Sequence, residues 1–225
     1  MDITAISDLH GYYPKLKGGD LLIVAGDLTA DSSIEEQISF SKWLFKQRYT
    51  KKIVIAGNHD NVLVLSAPGP FAYSSYNEVT TEQTAYADYL CDSGTEFDGL
   101  KIWGSPWTKR FEGMNPKCMA FTVDTDEQLA KNWEMIPNDI DILVTHCPPF
   151  SVFDAIGPFQ MQSVGSKSLL HVYHSHHRIK LHIFGHIHEN GGRKMQLNSS
   201  MPIMVNASHV NEHYEPVNTP VNIIL

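Results

Sequence analysis

Side chains that commonly bind metal ions follow short apolar runs at five places in the chain. These residues are Asp8, His10, Asp27, Asn58, His59, Asp60, His146, His186 and His188. Members of the pairs 8/10 and 186/188 are two residues apart, so each pair projects on one side of an extended strand. Any one of these sites is weak evidence, because polar residues after a strand commonly begin a turn. Together they predict a metal centre, and mixed nitrogen and oxygen donors suit Mn, Fe or Zn better than Ca or Mg.

The apolar runs that precede these residues predict buried β-strands. They cover residues 3–7, 21–25, 53–56, 142–144 and 181–184. Short β-branched runs bounded by turn residues are typical of strands, and near-continuous ones of strands covered on both faces. Periodicity between the strands predicts helices at residues 33–48, 81–90, 125–133 and 165–177, the first of them N-capped by Ser33. This alternation predicts an α/β layered domain with ligands beyond the carboxyl ends of the strands.

The rest of the chain is predicted to hold shorter strands and two irregular segments. Residues 193–197, 202–205 and 221–225 have the composition of short strands joined by turns. Residues 62–97 and 148–168 favour loop insertions, which could be walls of a substrate pocket or ordinary surface loops. With 225 residues, we expect a single domain over residues 1–225 that carries these two insertions.

Composition and charge exclude several classes of protein. Lys and Arg number 17 against 25 Asp and Glu, and the net charge of −8 argues against a protein that binds long nucleic acid. No apolar run approaches the roughly 18 residues of a membrane span, and the acidic start lacks the basic region of a secretory signal. Three widely spaced cysteines indicate free thiols in a reducing compartment. We therefore expect a cytoplasmic protein with no membrane partner.

The five ligand sites resemble the sequence signature of the calcineurin-like metallophosphoesterases. That signature has five blocks, D-x-H, G-D, G-N-H-[DE], T-H and G-H-x-H. This chain has them in the same order, as Asp8-Leu9-His10, Gly26-Asp27, Gly57-Asn58-His59-Asp60, Thr145-His146 and Gly185-His186-Ile187-His188. Residues 103–108, 145–149, 206–208 and 216–220 are most similar to the small class III phosphodiesterase-type members. Asp60 stands where glutamate is common and Cys147 where glycine is usual, and neither departure removes a ligand.

The resemblance implies a four-layer α-β-β-α sandwich with two divalent metal ions, Mn being favoured in vitro. The first ion would be held by Asp8, His10, Asp27 and His188. The second would be held by Asn58, His146 and His186, with Asp27 bridging the two. His59 would protonate the leaving oxygen or donate a hydrogen bond to it. Two divalent ions against two carboxylates make the site about +2, so the acidic chain total does not argue against a phosphate substrate.

The implied reaction is hydrolysis of a small soluble phosphodiester by in-line attack of a metal-bridging hydroxide. Cyclic nucleotides are the substrates that the subfamily resemblance favours, and a phosphomonoesterase using the same site is the alternative. A nuclease would need a basic groove, and the basic pairs of this chain are too scattered to predict one. A catalytically inert scaffold is disfavoured because all seven ligands and His59 are present. The oligomeric state stays open, and a dimer is among the alternatives.

A few further residues have chemistry that the signature does not use. A basic set at helical spacing is interpreted as a solvated helix face that ends in positive charge: His171, His174 and His177. His209 and His213 lie in a segment that could approach the pocket, and their role is left open. Trp107 could stack on a base or seal its own loop.

Overall fold

The first of two main sheets carries the amino-terminal ligand residues. A computed structural model describes residues 1–64, 87–110, 114–157, 159 and 161–225. In the described residues the first sheet has five strands: β1 (Asp2–Ile6), β2 (Gly19–Ala25), β3 (Tyr49–Ile55), β4 (Asp88–Tyr89) and β15 (Val221–Ile224). Their order is β15-β1-β2-β3-β4, and every pair is parallel except β1 with β15.

The second sheet carries the carboxy-terminal ligand residues. Within the described chain it has six strands: β5 (Ser93–Phe97), β6 (Leu100–Ser105), β9 (Ile142–Thr145), β12 (Leu181–Phe184), β13 (Arg193–Met195) and β14 (Ile203–Asn206). Their order is β13-β14-β12-β9-β6-β5, with a parallel centre and an antiparallel strand at each edge. Two short pairs lie outside the main sheets: β7 (Thr108–Lys109) with β8 (Thr122–Val123), and β10 (Ala155–Ile156) with β11 (Gln162–Ser163).

The three longer helices lie on the outer faces and have side-chain N-caps. The helices are α1 (Ile34–Lys46), α2 (Asn61–Val64), α3 (Asp126–Trp133) and α4 (Lys167–Ser175), followed by a 3₁₀ turn at His188–Asn190. Ser33 caps α1 by accepting a hydrogen bond from the Glu36 N–H, and Thr125 forms a complete capping box with Gln128. In the described part of the chain, no helix is both long and apolar enough to cross a bilayer.

Three apolar clusters define the layers of the fold. The central cluster lies between the sheets and joins residues such as Ile3 and Ile23 of the first sheet to Ile142 and Ile183 of the second. A second cluster packs α1 on the outer face of the first sheet. The third packs α3 and α4 on the outer face of the second sheet. The molecule is therefore an α-β-β-α sandwich, and the predicted fold class is confirmed.

The ligand residues follow strands whose carboxyl ends lie at one edge of the sandwich. Strands β1, β2 and β3 are buried through almost every residue towards these ends, as expected for parallel strands that are covered on both faces. A backbone bridge between Ser7 and Ser208 joins the end of β1 to the segment after β14, in the other sheet. This contact brings the two sets of strand ends together.

Some local predictions were wrong because tertiary pairing overrides local composition. The predicted helix over 81–90 is contradicted at its described end, where Asp88–Tyr89 pairs with β3 as a strand. The predicted irregular insertion over 62–97 ends in strand β5, which pairs with β6. Residues 65–86 of the predicted insertion and residues 81–86 of the predicted helix lie outside the described residues. The predicted loop over 148–168 contains the β10–β11 hairpin, and Pro158 and Gln160 lie outside the description.

Candidate metal centre

The first group of ligand atoms lies between the ends of the two sheets. Asp8, His10, Asp27 and His188 place one potential ligand atom each within 4.8 Å of one another. The Nε2 atoms of His10 and His188 are 3.3 Å apart, and His188 Nε2 is 3.2 Å from Asp8 Oδ1. Asp27 Oδ2 is 3.7 Å from His10 Nε2. These are the four residues that the resemblance assigns to the first metal.

The second group shares Asp27 with the first. Asp27, His146 and His186 likewise place ligand atoms within 4.8 Å of one another. His146 Nε2 is 3.4 Å from Asp27 Oδ1 and 3.1 Å from the side-chain oxygen of Asn58. The structure therefore brings all seven predicted ligands together, in the two predicted sets. Their binding of metal stays a prediction.

The spacing of these atoms fits divalent cations. Nitrogen and oxygen ligands sit about 2.0–2.2 Å from a metal such as zinc, so ligands of one ion lie roughly 3–3.5 Å from each other. Asp8 and Asp27 are fully buried carboxylates, which are costly without a compensating positive charge. Two imidazole nitrogens that face each other at 3.3 Å are also explained if both donate to one cation.

Four of the ligand residues have a left-handed backbone. The φ angles are +50° for Asp8, +42° for His10, +50° for Asp27 and +71° for His186. This conformation costs an L-residue roughly 1–2 kcal/mol and is held only where the surroundings demand it. Such strain concentrates at functional sites, and here it turns four ligand side chains towards a common centre.

Two motif glycines are required by close approach. A Cβ atom on Gly57 would collide with the carboxylate and backbone nitrogen of Asp27. A Cβ atom on Gly185 would collide with the side chains of Ser7 and Asp8. Each glycine therefore lets a ligand carboxylate lie directly against the neighbouring strand end.

Hydrogen bonds from neighbouring residues orient the ligands. The Ser208 hydroxyl donates to Asp8 Oδ2 at 2.8 Å, and the His186 N–H lies 3.0 Å from both oxygens of the same carboxylate. His146 Nδ1 is 3.0 Å from the Ala25 carbonyl oxygen. Because a carbonyl only accepts, His146 Nδ1 carries the proton, and its Nε2 is left to act as a ligand.

Asp60 joins the loops that carry Asp27 and Asn58. Its fully buried carboxylate accepts the N–H of Gly57 at 2.8 Å, of Leu28 at 3.1 Å and of Thr29 at 3.2 Å. It also accepts the Thr29 hydroxyl at 3.0 Å. Asp60 therefore connects two strand ends, which the sequence did not predict.

Burial and charge shift the pKa values of the site in opposite directions. Burial alone would raise the pKa of Asp27, but the neighbouring His146, His59 and His10 hold it well below its usual range. Burial lowers the pKa of His10 to about 3, and that of His186 to about 3. The charge of Asp27 outweighs burial at His146 and raises its pKa to about 9. Ionised carboxylates beside neutral imidazoles at His10 and His186 are the protonation states that metal binding needs.

His59 lies beside the first ligand group, and one of its ring nitrogens bonds a backbone carbonyl outside that group. Its Nδ1 is 2.8 Å from the Ala30 carbonyl oxygen, so this nitrogen carries a proton. Its ring packs edge-on against His10, with centroids 4.5 Å apart. The backbone N–H of His59 donates to Asp27 Oδ1 at 2.8 Å. The side chain is thus fixed beside the centre, and among the described residues no hydrogen bond involves its Nε2.

An open pocket of about 320 Å³ lies over the centre. Predicted site residues Asp27, Asn58, His59, His186 and His188 line part of it. The other described lining residues were not identified from the sequence: Met114, Asn115, Ile156, Gly157, Ile187, Glu189, Glu212 and Tyr214. Ile187 and Glu189 lie within or next to the G-H-x-H motif, but their types gave no sign of a role; the other six carry no motif or periodicity that a single sequence would reveal.

The residues whose roles were left open now have positions. His209 is buried, and its Nδ1 bonds the Asn218 carbonyl at 2.7 Å, which is a structural contact within its loop. The His213 side chain is 73% exposed and lies 3.8 Å from Glu212. Trp107 packs against Phe121 and belongs to the apolar clusters, so it seals its loop. The predicted solvated face is found in part on α4, where His171 and His174 are exposed; His177 is also exposed but lies after the end of the helix.

Comparison with known proteins places the chain among phosphoesterases. Residues 1–190 match the family model described as calcineurin-like phosphoesterase. The chain is 34% identical over 241 residues to metallophosphoesterase domain-containing protein 1 of Homo sapiens and of Mus musculus, covering 99% of this chain and 70% of theirs. Its fold is similar to that of the phosphopantetheinyl hydrolase from Mycobacterium tuberculosis, with a TM-score of 0.59 and 17% identity over 99% of this chain and 95% of that one.

Proposed function

The chain belongs to the calcineurin-like phosphoesterase family and is a phosphoric ester hydrolase, and we propose that it hydrolyses a small phosphodiester at a centre for two divalent metal ions. The observation that carries the proposal is the pair of ligand groups that share the buried carboxylate of Asp27. A carboxylate can span two cations, whereas an imidazole nitrogen ligates one. When bound, the two cations would supply a nucleophilic hydroxide at neutral pH and neutralise charge on the phosphoryl oxygens.

The residues of the chain divide the remaining work. Asp8 and Asp27 provide the negative charge that retains the cations, and the site histidines complete the two ligand sets. His59 lines the pocket and uses Nδ1 to bond Ala30, so its Nε2 can hold a proton for the leaving oxygen. Mn, Fe and Zn all suit this donor set, and we propose Mn for assays in vitro.

His59→Ala is expected to separate metal binding from turnover. Because His59 is not among the seven ligands, the variant should keep about two metals per chain and lose a factor of about 10² in kcat with alkyl leaving groups. The loss should be much smaller with 4-nitrophenolate, which leaves without being protonated. Steady-state rates on both leaving-group types and metal analysis test this, with the exposed His171→Ala as the control. Equal losses on both would contradict an acid role for His59.

The charge of the pocket rim favours a diester over a monoester. Among the described lining residues, Glu189 and Glu212 are acidic in addition to the predicted ligand Asp27, and none is a lysine or arginine. The stretches outside the description, 65–86, 111–113, 158 and 160, also contain no lysine or arginine in the sequence. A monoester dianion would meet the negative charge of these two rim carboxylates, and no described lysine or arginine lines the pocket to bind it. A diester carries one charge, which the metals can neutralise.

The double variant Glu189→Gln/Glu212→Gln is expected to weaken this discrimination. An additional charge roughly 8 Å from each carboxylate costs about 0.5 kcal/mol per pair in water, so kcat/KM for 4-nitrophenyl phosphate should rise about fivefold. The kcat/KM for bis(4-nitrophenyl) phosphate should rise less. The effect of the double substitution on both substrates should shrink in high salt. Glu96→Gln/Glu134→Gln makes the same charge change away from the pocket and should alter neither. An unchanged ratio would contradict the electrostatic argument.

A direct assay distinguishes the proposed function from its alternative. Metal-free protein reloaded with Mn, Fe or Zn is supplied with bis(4-nitrophenyl) phosphate, 4-nitrophenyl phosphate, and 2′,3′- and 3′,5′-cyclic nucleotides. We propose that diesters are preferred, that cyclic nucleotides are among the substrates, and that the protein acts in the cytoplasm. A higher kcat/KM for the monoester would make the protein a phosphatase. Inactivity on every ester with every metal would overturn the proposal.

A further inference from the structure

Tyr214, whose side chain is not a predicted ligand, packs against the metal-ligand histidines. Its ring centroid is 4.9 Å from that of His10, 5.1 Å from His188 and 6.2 Å from His59. The residue also lines the pocket over the centre. Even so, 44% of its surface is exposed. A large aromatic side chain therefore stands in the wall of the pocket, beside the atoms expected to react.

The backbone at Tyr214 is held in an unfavourable conformation. Its φ angle is +59°, which is rare for a bulky residue. Asn211 imposes it, because its backbone oxygen accepts the Tyr214 N–H at 2.9 Å and its side-chain oxygen accepts the N–H groups of His213 and Glu215 at 2.9 Å. A turn that over-determines a strained residue is typical of functional positions. Its effect here is to point the ring at the centre and not into the apolar core.

The exposed part of Tyr214 is positioned to contact a substrate. Within the described residues its hydroxyl makes no hydrogen bond, so it can bond to a substrate or to water. Met114 and Ile156 line the same pocket and extend its apolar surface. The metal ligands form a polar floor for one phosphate. The pocket thus combines a site for a phosphoryl group with an aromatic wall next to it.

We propose that Tyr214 determines specificity by packing against a planar aromatic or heterocyclic ester group of the substrate. The proposal rests on the proposed function, since the ester group is oriented by a phosphate bound at the metals. Stacking of a base on an aromatic side chain contributes about 1–3 kcal/mol, which is roughly fivefold to a hundredfold in affinity. Such a wall favours nucleotide-like and aryl diesters over alkyl diesters.

Two other roles for Tyr214 predict different results. A ring that only shields His10 and His188 from water would affect metal retention and lower the rate on every substrate by the same factor. A hydroxyl that binds a phosphoryl oxygen would be lost in Tyr214→Phe. If the ring packs against a planar ester group, the preference for such substrates is retained in Tyr214→Phe and lost in Tyr214→Leu. Substrates without a planar group are then unaffected.

The kinetic test uses two substrates with the same leaving group. Bis(4-nitrophenyl) phosphate and methyl 4-nitrophenyl phosphate both release 4-nitrophenolate and differ in the ester group that remains. In the Mn-loaded wild type, we expect kcat/KM to favour the aryl diester, and Tyr214→Leu to reduce the preference about tenfold. Tyr214→Phe and the exposed-aromatic control Phe45→Leu should keep it. An unchanged preference in Tyr214→Leu, or an equal loss in Tyr214→Phe, would overturn the proposal.

A binding test separates this proposal from the proposed function. Calorimetry measures the Kd of phenyl phosphate and of methyl phosphate for the Mn-loaded protein, and metal analysis accompanies each variant. We expect phenyl phosphate to bind more tightly, and Tyr214→Leu to abolish the difference with metal content unchanged. This result would support the aromatic wall even if no ester were hydrolysed. Equal binding of the two ligands by the wild type, or binding of neither, would overturn it.

Discussion

Asp27→Asn should lower kcat/KM for hydrolysis about a thousandfold and leave the protein folded. Asp27 is the one residue common to both ligand groups, and its two oxygens lie 3.7 Å from His10 and 3.4 Å from His146. An amide keeps the size of the side chain but removes the charge and one ligand oxygen. Bridging two cations would no longer be possible, so several kcal/mol of transition-state stabilisation should be lost, or about a thousandfold in kcat/KM.

Metal content and thermal unfolding should identify the cause of this loss. Wild-type protein should gain about 2.7 kcal/mol of stability per site at a free metal concentration of 100 times Kd, and Asp27→Asn should gain much less. Without metal the variant should be less stable than the wild type, because the Asp27 carboxylate is paired with His146 and its pKa is held well below its usual range. The exposed Asp20→Asn makes the same chemical change and should behave as wild type. Full activity with two bound metals in Asp27→Asn would refute the bridging role.

The ligand set was predictable from the sequence because the constraints on it are local. Each ligand directly follows a short apolar strand, and parallel strands place their carboxyl ends at one edge of a sheet. Asp8 and Asp27 follow neighbouring strands, so their proximity follows from the order of β1 and β2 alone. The joining of the second sheet, which brings His146 and His186 to the same edge, was implied by the family signature and not by any local pattern.

The pocket wall could not be predicted because it depends on long-range contacts between loops. Tyr214 reaches His10 across more than 200 residues of sequence, and a single aromatic residue in a loop has no periodicity to reveal it. Glu189 and Glu212 likewise acquire meaning only when their loops meet at the pocket. Strand β4 was misread for a similar reason, since its pairing with β3 decides its conformation.

The sign of the charge alternates from the whole chain to the metal centre to the pocket rim. The whole chain is acidic, at −8, which disfavours long polyanions. Two bound divalent ions would make the centre about +2, which attracts a phosphate. The acidic rim at Glu189 and Glu212 then disfavours any additional negative charge on the substrate. Together these fields favour a small ester with a single phosphate and a single charge.

Asp60→Ala is expected to combine a large loss of stability with a loss of metal affinity. The substitution leaves the buried N–H groups of Leu28, Thr29 and Gly57 without their acceptor. At about 1–3 kcal/mol for each group, we expect a loss of about 3–5 kcal/mol in the free energy of unfolding. For a chain of 225 residues this corresponds to a fall of about 10 °C in Tm.

The metal-binding part of this prediction follows from the position of Asp60 between two ligand loops. Without it, the loops that present Asp27 and Asn58 are no longer held together, and outer contacts of this kind typically contribute 10- to 100-fold in metal affinity. Asp60→Asn keeps the volume but places an amide NH₂ among backbone donors, so it should also weaken Mn binding. Isothermal titration of the metal-free variants with Mn measures this.

A second buried aspartate provides the control for Asp60. Asp141 is 1% exposed, accepts the Lys101 N–H at 3.0 Å and pairs with Lys180. It directly precedes β9, whereas His146 directly follows that strand, so the two residues lie at opposite ends of β9. Asp141→Ala should therefore lower Tm as Asp60→Ala does, yet leave Mn affinity unchanged. If both variants lost affinity equally, the loss would reflect general destabilisation. If only Asp60→Ala loses it, the carboxylate acts by holding two ligand loops in register, a role that stability alone does not explain.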